Sequence, residues 1–154
     1  MKNKILISLI ALFFSMNLFS QERITIDQIV EENKGKVIYV DYWASWCKPC
    51  IKEIKKINSL HEKYMDKDIV YVYLSVDLEV KPWQKASEKL GISDEKYNLR
   101  TVTMLKSKKY RFQLKSLPCY IIFNKKGELV NNYAPRPSEK EKLYIELDKY
   151  LSQE

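Results

Sequence analysis

The sequence predicts an α/β domain in which a mixed sheet carries helices on both faces. Segments with helical apolar spacing alternate with runs of β-branched and aromatic residues, which are typical of strands buried on both faces. Two later strand patterns are separated by a short turn that contains glycine, which indicates an antiparallel hairpin. Helices that separate buried strands indicate a mixed sheet covered on both sides.

Composition limits the class of protein. The chain has 154 residues, of which 45% are hydrophobic and 31% charged, as expected for one packed domain. These values exclude a disordered chain, a collagen-like chain and a multi-span membrane protein. Three cysteines are too few for a small disulfide scaffold, and a single histidine excludes most metal sites built on several imidazoles.

The first twenty residues predict a signal peptide. Residues 1–4 are basic without an acid, residues 5–19 form a mainly apolar run, and the chain turns polar at Gln21. We therefore expect cleavage after Ser20, a mature domain at residues 21–154 and a periplasmic location, with an uncleaved anchor as the alternative. Loss of the two lysines in this segment lowers the formal charge from +7 to +5.

The first half of the mature chain predicts a helix, a strand, a helix and a strand. A helical pattern over 24–33 begins near Thr25 or Asp27, which can cap an N-terminus. Residues 37–43 predict a buried strand. Apolar residues then recur at intervals of three and four from Pro49 to Met65, which predicts one amphipathic helix, and residues 69–76 predict a second buried strand.

The second half begins with a helix over 82–90. Pro82 suits its first turn, and Gly91 suits its end. Residues 92–117 are polar and basic, and their pattern does not define an element.

The chain then predicts strands over 118–123 and 128–133, joined by a turn at 124–127. Ser138 followed three residues later by Glu141 predicts a capping box at the start of the last helix.

The chemically distinctive segment is Trp46-Cys47-Lys48-Pro49-Cys50. Cys47 is expected at a helix N-terminus, where unpaired N–H groups, the helix dipole and the charge of Lys48 favour a thiolate and lower its pKa. Pro49 suits the first helical turn. Cys50 follows one turn later, so its sulfur can reach that of Cys47. We expect an exposed Cys47 to attack, and a more buried Cys50 to resolve the mixed disulfide.

Other chemistry fits the cysteines less well. A zinc knuckle usually needs a second Cys/His pair, and only Cys119 and His61 remain. A copper carrier of the Cys-plus-distal-His type lacks its histidine. No metal and no cofactor are therefore expected, while a purely structural disulfide stays open as the alternative to redox chemistry.

Three acids lie within or directly after the predicted strands. Asp41 interrupts an apolar strand six residues before Cys47. A buried carboxyl has a raised pKa and could take the proton from Cys50; the alternative is an Asp41 that faces solvent. Asp77 and Glu79 follow the second strand, and a solvated loop is the expectation for both.

The segment Val40-Asp41-Tyr42-Trp43-Ala44-Ser45-Trp46-Cys47-Lys48-Pro49-Cys50 resembles the active-site segment of thioredoxin, and in particular that of the TlpA/ResA-like extracytoplasmic thiol-disulfide oxidoreductases. The resemblance implies a thioredoxin fold with an insertion at about 80–114. It also implies a cis-proline at Leu117-Pro118, where an exposed backbone could pair with a substrate segment.

The resemblance also implies roles for single residues. It makes Cys47 the nucleophile, Cys50 the resolving thiol, Asp41 the buried acid and Pro118 the cis-proline. The candidate substrate-binding residues are Trp46, Lys48, Pro49 and Leu117. Lys48 and Leu117 depart from the residues that are commoner at their positions in the family.

Cys119 directly follows the proline. A small buried core residue is its simplest interpretation. The functional alternative is a third thiol that forms a mixed disulfide or senses oxidation.

The basic residues are expected to lie on solvated faces and in loops, since no nucleic-acid-binding motif accompanies them. The sequence thus predicts an extracytoplasmic enzyme that reduces disulfides of envelope proteins and is kept reduced by a membrane-bound electron donor. The alternatives are an oxidase or isomerase, and a protein-binding module with a structural disulfide.

Overall fold

The computed structural model describes residues 23–110 and 113–153. The predicted signal peptide at 1–20 lies outside these residues. In chain order the helices and strands are α1 (Ile26–Glu32), β1 (Val37–Trp43), α2 (Lys48–Ile54), α3 (Asn58–Lys63), β2 (Ile69–Ser75), α4 (Val80–Leu90), β3 (Asn98–Arg100), β4 (Cys119–Phe123), β5 (Leu129–Asn131) and α5 (Lys140–Leu151).

The strands form one mixed sheet in the order β3-β2-β1-β4-β5. β1 pairs in parallel with β2, and β2 with β3, while β4 runs antiparallel to both β1 and β5. The expected hairpin and the thioredoxin fold are confirmed. The end of central strand β1 is therefore flanked by the end of β2 and the start of β4. The segments that follow β1 and β2 and precede β4 thus meet at the same end of the sheet.

The two faces of the sheet carry separate cores. Alternate residues of β1 point to opposite sides, so that Val37, Tyr39 and Trp43 join a core with α2, α3 and α5. Ile38 and Val40 join a second core with α1 and part of the segment 97–114. This division decides which groups can act on the cysteine pair.

The helix predicted from Pro49 to Met65 is divided into α2 and α3. Between them the N–H groups of Lys56 and Ile57 donate to the carbonyls of Glu53 and Ile54, three residues back. Ile54, Ile57 and Leu60 all stay buried across this tighter turn.

The predicted ends of the other helices are confirmed in two cases and wrong in one. Thr25 and Gln28 form a capping box at α1, and Gly91 ends α4 with a φ of 71°. The capping box predicted at Ser138 is wrong. α5 begins at Lys140 after Glu139, without a side-chain cap, and the Ser138 N–H donates to the Glu53 carboxylate at 2.9 Å instead of to Glu141.

The segment without a clear sequence pattern contains β3 and a short 3₁₀ helix at Thr101–Thr103. α4 and β3 both fall within 80–114, the stretch that the resemblance identifies as an insertion. Among the residues that the structure describes, no helix is long and apolar enough to cross a bilayer.

Candidate active site

The site is built at the junction of β1 and α2. β1 ends at Trp43, and Cys47 forms the N-cap of α2. Its sulfur accepts a hydrogen bond from the Cys50 N–H, with an Sγ to N distance of 3.3 Å. Pro49 lies in the first turn of α2, where its missing N–H leaves no donor unpaired.

Cys47 and Cys50 are joined by a disulfide. The expectation of an exposed Cys47 is wrong, since only 6% of this residue is accessible. Cys47 nevertheless lines a surface groove, whereas Cys50 is fully buried and does not line it. The sulfur of Cys47 is therefore the one within reach of a second protein, as the predicted order of attack requires.

The groove has a volume of about 620 Å³. It runs between the turn around the cysteines and the segment that leads into β4, where the Leu117-Pro118 peptide bond is cis. Pro118 itself is buried beside it. The lining residues are Trp46, Cys47, Lys48, Pro49, Leu114, Lys115, Ser116 and Leu117. The four residues expected to bind substrate are thus brought together on one surface.

Asp41 lies on the face of β1 that carries the cysteine pair. Only 1% of it is accessible, and neither carboxylate oxygen has a hydrogen-bond partner of regular geometry. Burial raises its pKa well above the ordinary range. The nearby Tyr120 hydroxyl opposes this shift, and the negative charge of Glu53 adds to it. This burial excludes the alternative in which Asp41 faces solvent.

Glu53 is a carboxylate that the sequence analysis missed. It is buried on α2, three residues after Cys50, and its Oε2 accepts the Ser138 N–H from the loop before α5. Its position at helical spacing among Cys50, Ile54 and Ile57 is the signal that could have indicated burial.

Asp77 contradicts the expectation of a solvated loop, because only 3% of it is accessible. One oxygen accepts the Ser45 N–H at 2.8 Å and the Ser75 hydroxyl at 2.6 Å. The other accepts the Ser45 hydroxyl at 2.7 Å. This carboxylate therefore ties the turn that precedes Cys47 to the end of β2.

Cys119 lies in the core on the opposite face from the Cys47–Cys50 pair. It is the free cysteine of the described residues and is 6% accessible. Burial, and then the nearby charge of Asp41, raise the pKa of its thiol. These surroundings favour the core interpretation over a third reactive thiol. No group of three or more potential metal-ligating side chains occurs in the described part of the chain.

Replacing Asp77 with alanine should destabilise the protein by about 3 kcal/mol. The change removes a charged acceptor and leaves the Ser45 and Ser75 donors without their partner. Urea unfolding of the oxidised protein measures this loss. Glu79→Ala is the matched control, because Glu79 is exposed and its side chain makes no capping bond. Equal stability of the two variants would show that the Asp77 contacts contribute nothing.

Comparison with known proteins adds independent findings. The model of a thioredoxin-like family matches residues 35–129. The thiol-disulfide oxidoreductase ResA of Bacillus thuringiensis (strain Al Hakam) is 38% identical over 48 residues, which cover 31% of this chain and 28% of that protein. The thioredoxin-like protein YneN of Bacillus subtilis (strain 168) is 25% identical over 130 residues, or 83% of this chain and 71% of that one.

Solved structures of similar fold include proteins of the same kind. A proposed thiol-disulfide oxidoreductase from Bacteroides vulgatus superposes with a TM-score of 0.61 and 35% identity, over 78% of this chain and 82% of that one. The thioredoxin domain of a second Bacteroides vulgatus protein, at 22% identity and a TM-score of 0.60, covers 79% and 84% of the two chains and supports the fold alone.

Proposed function

The chain belongs to the thioredoxin-like family, and from this premise we propose that it is a thiol-disulfide oxidoreductase that exchanges electrons with cysteines of other proteins. The observation that carries this proposal is the asymmetry of the cysteine pair. Cys47 lines a groove beside a cis-proline, while Cys50 is fully buried behind it. A purely structural disulfide has no need of such a groove.

In the reductive direction the reaction has two steps. The Cys47 thiolate attacks one sulfur of a substrate disulfide, forms a mixed disulfide and releases the other substrate sulfur as a thiolate. Cys50 then loses its proton to Asp41 and attacks the Cys47 sulfur, which releases the second substrate thiolate and closes the Cys47–Cys50 bond. Two electrons pass from the protein to the substrate.

We further propose that the protein acts outside the cytoplasm as a reductase. The basic and apolar pattern of residues 1–20 supports export. The Trp-Cys-x-Pro-Cys form of the motif, which resembles that of reductants in the TlpA/ResA-like family, supports the direction. A membrane-bound electron donor would return Cys47 and Cys50 to the dithiol form after each cycle.

The reduction potential of the pair tests the direction. We expect a value near about −270 mV, comparable to thioredoxin, when the pair is equilibrated with dithiol buffers; a value near about −120 mV would contradict a reductase and indicate an oxidase. Reduction of insulin by dithiothreitol tests the activity itself. A rate no higher than that without protein would contradict the proposed oxidoreductase.

A further inference from the structure

The groove beside Cys47 combines apolar surface with positive charge. Trp46 is 67% exposed, although large aromatic side chains are usually buried. With Pro49, Leu114 and Leu117 it provides an apolar wall. The groove also contains the lysines at 48 and 115, one on each wall, and none of the described residues that line it is acidic.

The acids of the surrounding elements do not neutralise these lysines. Asp41 is enclosed in the core, Asp77 is held by two serines of adjoining segments, and Glu53 accepts a backbone N–H. Within residues 23–110 and 113–153, neither Lys48 nor Lys115 forms an ion pair with a carboxylate of the chain.

The sequence around Lys115 is also rich in basic residues. The sequence from 96 to 127 contains nine lysines and arginines and no aspartate or glutamate. Lys115 lies within this stretch, close to the cis-proline. A segment that approaches Cys47 between Lys48 and Lys115 therefore meets positive charge, which favours partners of the opposite sign.

We infer that the groove selects protein segments that carry an acidic and an apolar side chain beside the reactive cysteine. The acidic group lies between Lys48 and Lys115, and the apolar group packs on Trp46 and Leu117. This inference rests on the proposed function. The reaction is the one described above. The Cys47 sulfur forms a mixed disulfide with the substrate cysteine, Cys50 displaces the substrate sulfur, and two electrons reduce the substrate disulfide.

The test uses synthetic peptides with one internal disulfide. Three peptides differ only at the positions that flank the cysteines, which hold Glu, Gln or Lys. A fourth replaces a flanking Leu of the Glu peptide with Ser. The full chain is reduced, freed of reductant and mixed with each peptide, and the second-order rate constant is measured in a single turnover. Division by the rate with dithiothreitol at about 0.5 M salt, where the charge of its thiolate is screened, removes differences in the intrinsic reactivity of the peptides.

At an ionic strength of about 20 mM, we expect the Glu peptide to react about tenfold faster than the Lys peptide, and the Gln peptide to lie between them. At about 0.5 M salt the ratio should fall below about twofold, because the charges are then screened within a few ångströms. The Leu to Ser change should slow the reaction about fivefold at either salt concentration, since it removes apolar contact.

Reversal of the two charges identifies the source of the preference. The double variant Lys48→Glu with Lys115→Glu should favour the Lys peptide. Lys126→Glu is the control, because Lys126 is exposed in the turn at the far end of β4 from Pro118, and it should keep the preference for Glu.

Two results would overturn the inference. One is an equal normalised rate for the Glu and Lys peptides, and the other is a preference that survives the double reversal. In both cases the wild-type protein would still reduce insulin, so the proposed function would stand. Failure to reduce insulin and every peptide would remove both proposals together.

Discussion

Replacing Cys47 with serine should lower protein-disulfide reduction to the uncatalysed rate, a loss of at least about a thousandfold. The attacking group must be a thiolate, and a serine hydroxyl does not ionise near neutral pH. Serine is also a preferred N-cap residue, so the variant keeps the hydrogen bond that begins α2. Insulin reduction by the variant and by the reduced wild type measures the loss without a confounding change of fold.

Cys119→Ser is the matched control for this experiment. The same atom is replaced in a cysteine of similar burial, but on the opposite face of the sheet from the pair. The Cys119 sulfur has only a long contact of 4.0 Å to the Asn132 carbonyl, so little is lost. We expect activity within about twofold of wild type; a comparable loss in both variants would contradict the assignment of Cys47 as the nucleophile.

Cys50→Ser separates the two steps. Cys47 keeps its ability to attack, but no second thiol displaces the substrate. The variant should accumulate a mixed disulfide with a substrate protein, seen as a product of higher mass that dithiothreitol releases. Absence of this product in Cys50→Ser, together with loss of turnover, would contradict the order of attack.

The strand–helix junction at Cys47 and Cys50 could be predicted because its signals are local. A buried strand pattern, a cysteine pair one turn apart and a proline in the first turn all lie within fifteen residues. The hairpin of β4 and β5 was local in the same way, since its turn contains the required glycine. These signals were sufficient for a mixed α/β sheet and for a reactive cysteine pair, while the thioredoxin fold was implied by the resemblance of the segment 40–50.

The positions that sequence reasoning missed depend on contacts between distant segments. Asp77 can be buried because Ser45, in the turn after β1, and Ser75, at the end of β2, supply donors for it. The N–H of Ser138, which the predicted capping box would pair with Glu141, instead donates to Glu53, 85 residues away in the chain. A pattern within one segment cannot contain such partners.

Asp41→Asn should slow the resolving step by about a hundredfold. Cys50 is fully buried, so bulk water has no access to its proton, and Asp41 lies on the same face of the sheet. The amide of the variant cannot accept that proton. In single turnovers with a peptide disulfide, the variant should form the mixed disulfide at a normal rate and release the product slowly.

The pH dependence distinguishes proton transfer from packing. In the wild type, the resolving rate should rise with pH through the raised pKa of Asp41, because only the ionised carboxylate accepts a proton. The asparagine variant should lack this rise. Asp66→Asn is the control, since Asp66 is exposed beyond α3, and it should keep the wild-type profile. An unchanged profile in Asp41→Asn would contradict a role in proton transfer.

Asp41→Asn should slow catalysis but increase the stability of the protein at high pH. Burial raises the pKa of Asp41 in the folded state above the value of about 3.9 in the unfolded chain. Between these two values the folded state binds more protons, so the free energy of unfolding falls as pH rises through the folded-state pKa. Above that pKa the wild type must hold an ionised carboxylate without a partner cation, which costs several kcal/mol.

Asparagine is not subject to this penalty because it does not ionise. Urea unfolding at pH 5, 7 and 9 should therefore show the stability of Asp41→Asn, relative to wild type, increasing with pH, to a gain on the order of 1–4 kcal/mol above the folded-state pKa. A constant difference at all three pH values would show that Asp41 ionises as easily in the folded protein as in the unfolded chain. A variant that is slower in catalysis yet more stable at high pH is the result that identifies Asp41 as a carboxyl kept in the core for proton transfer.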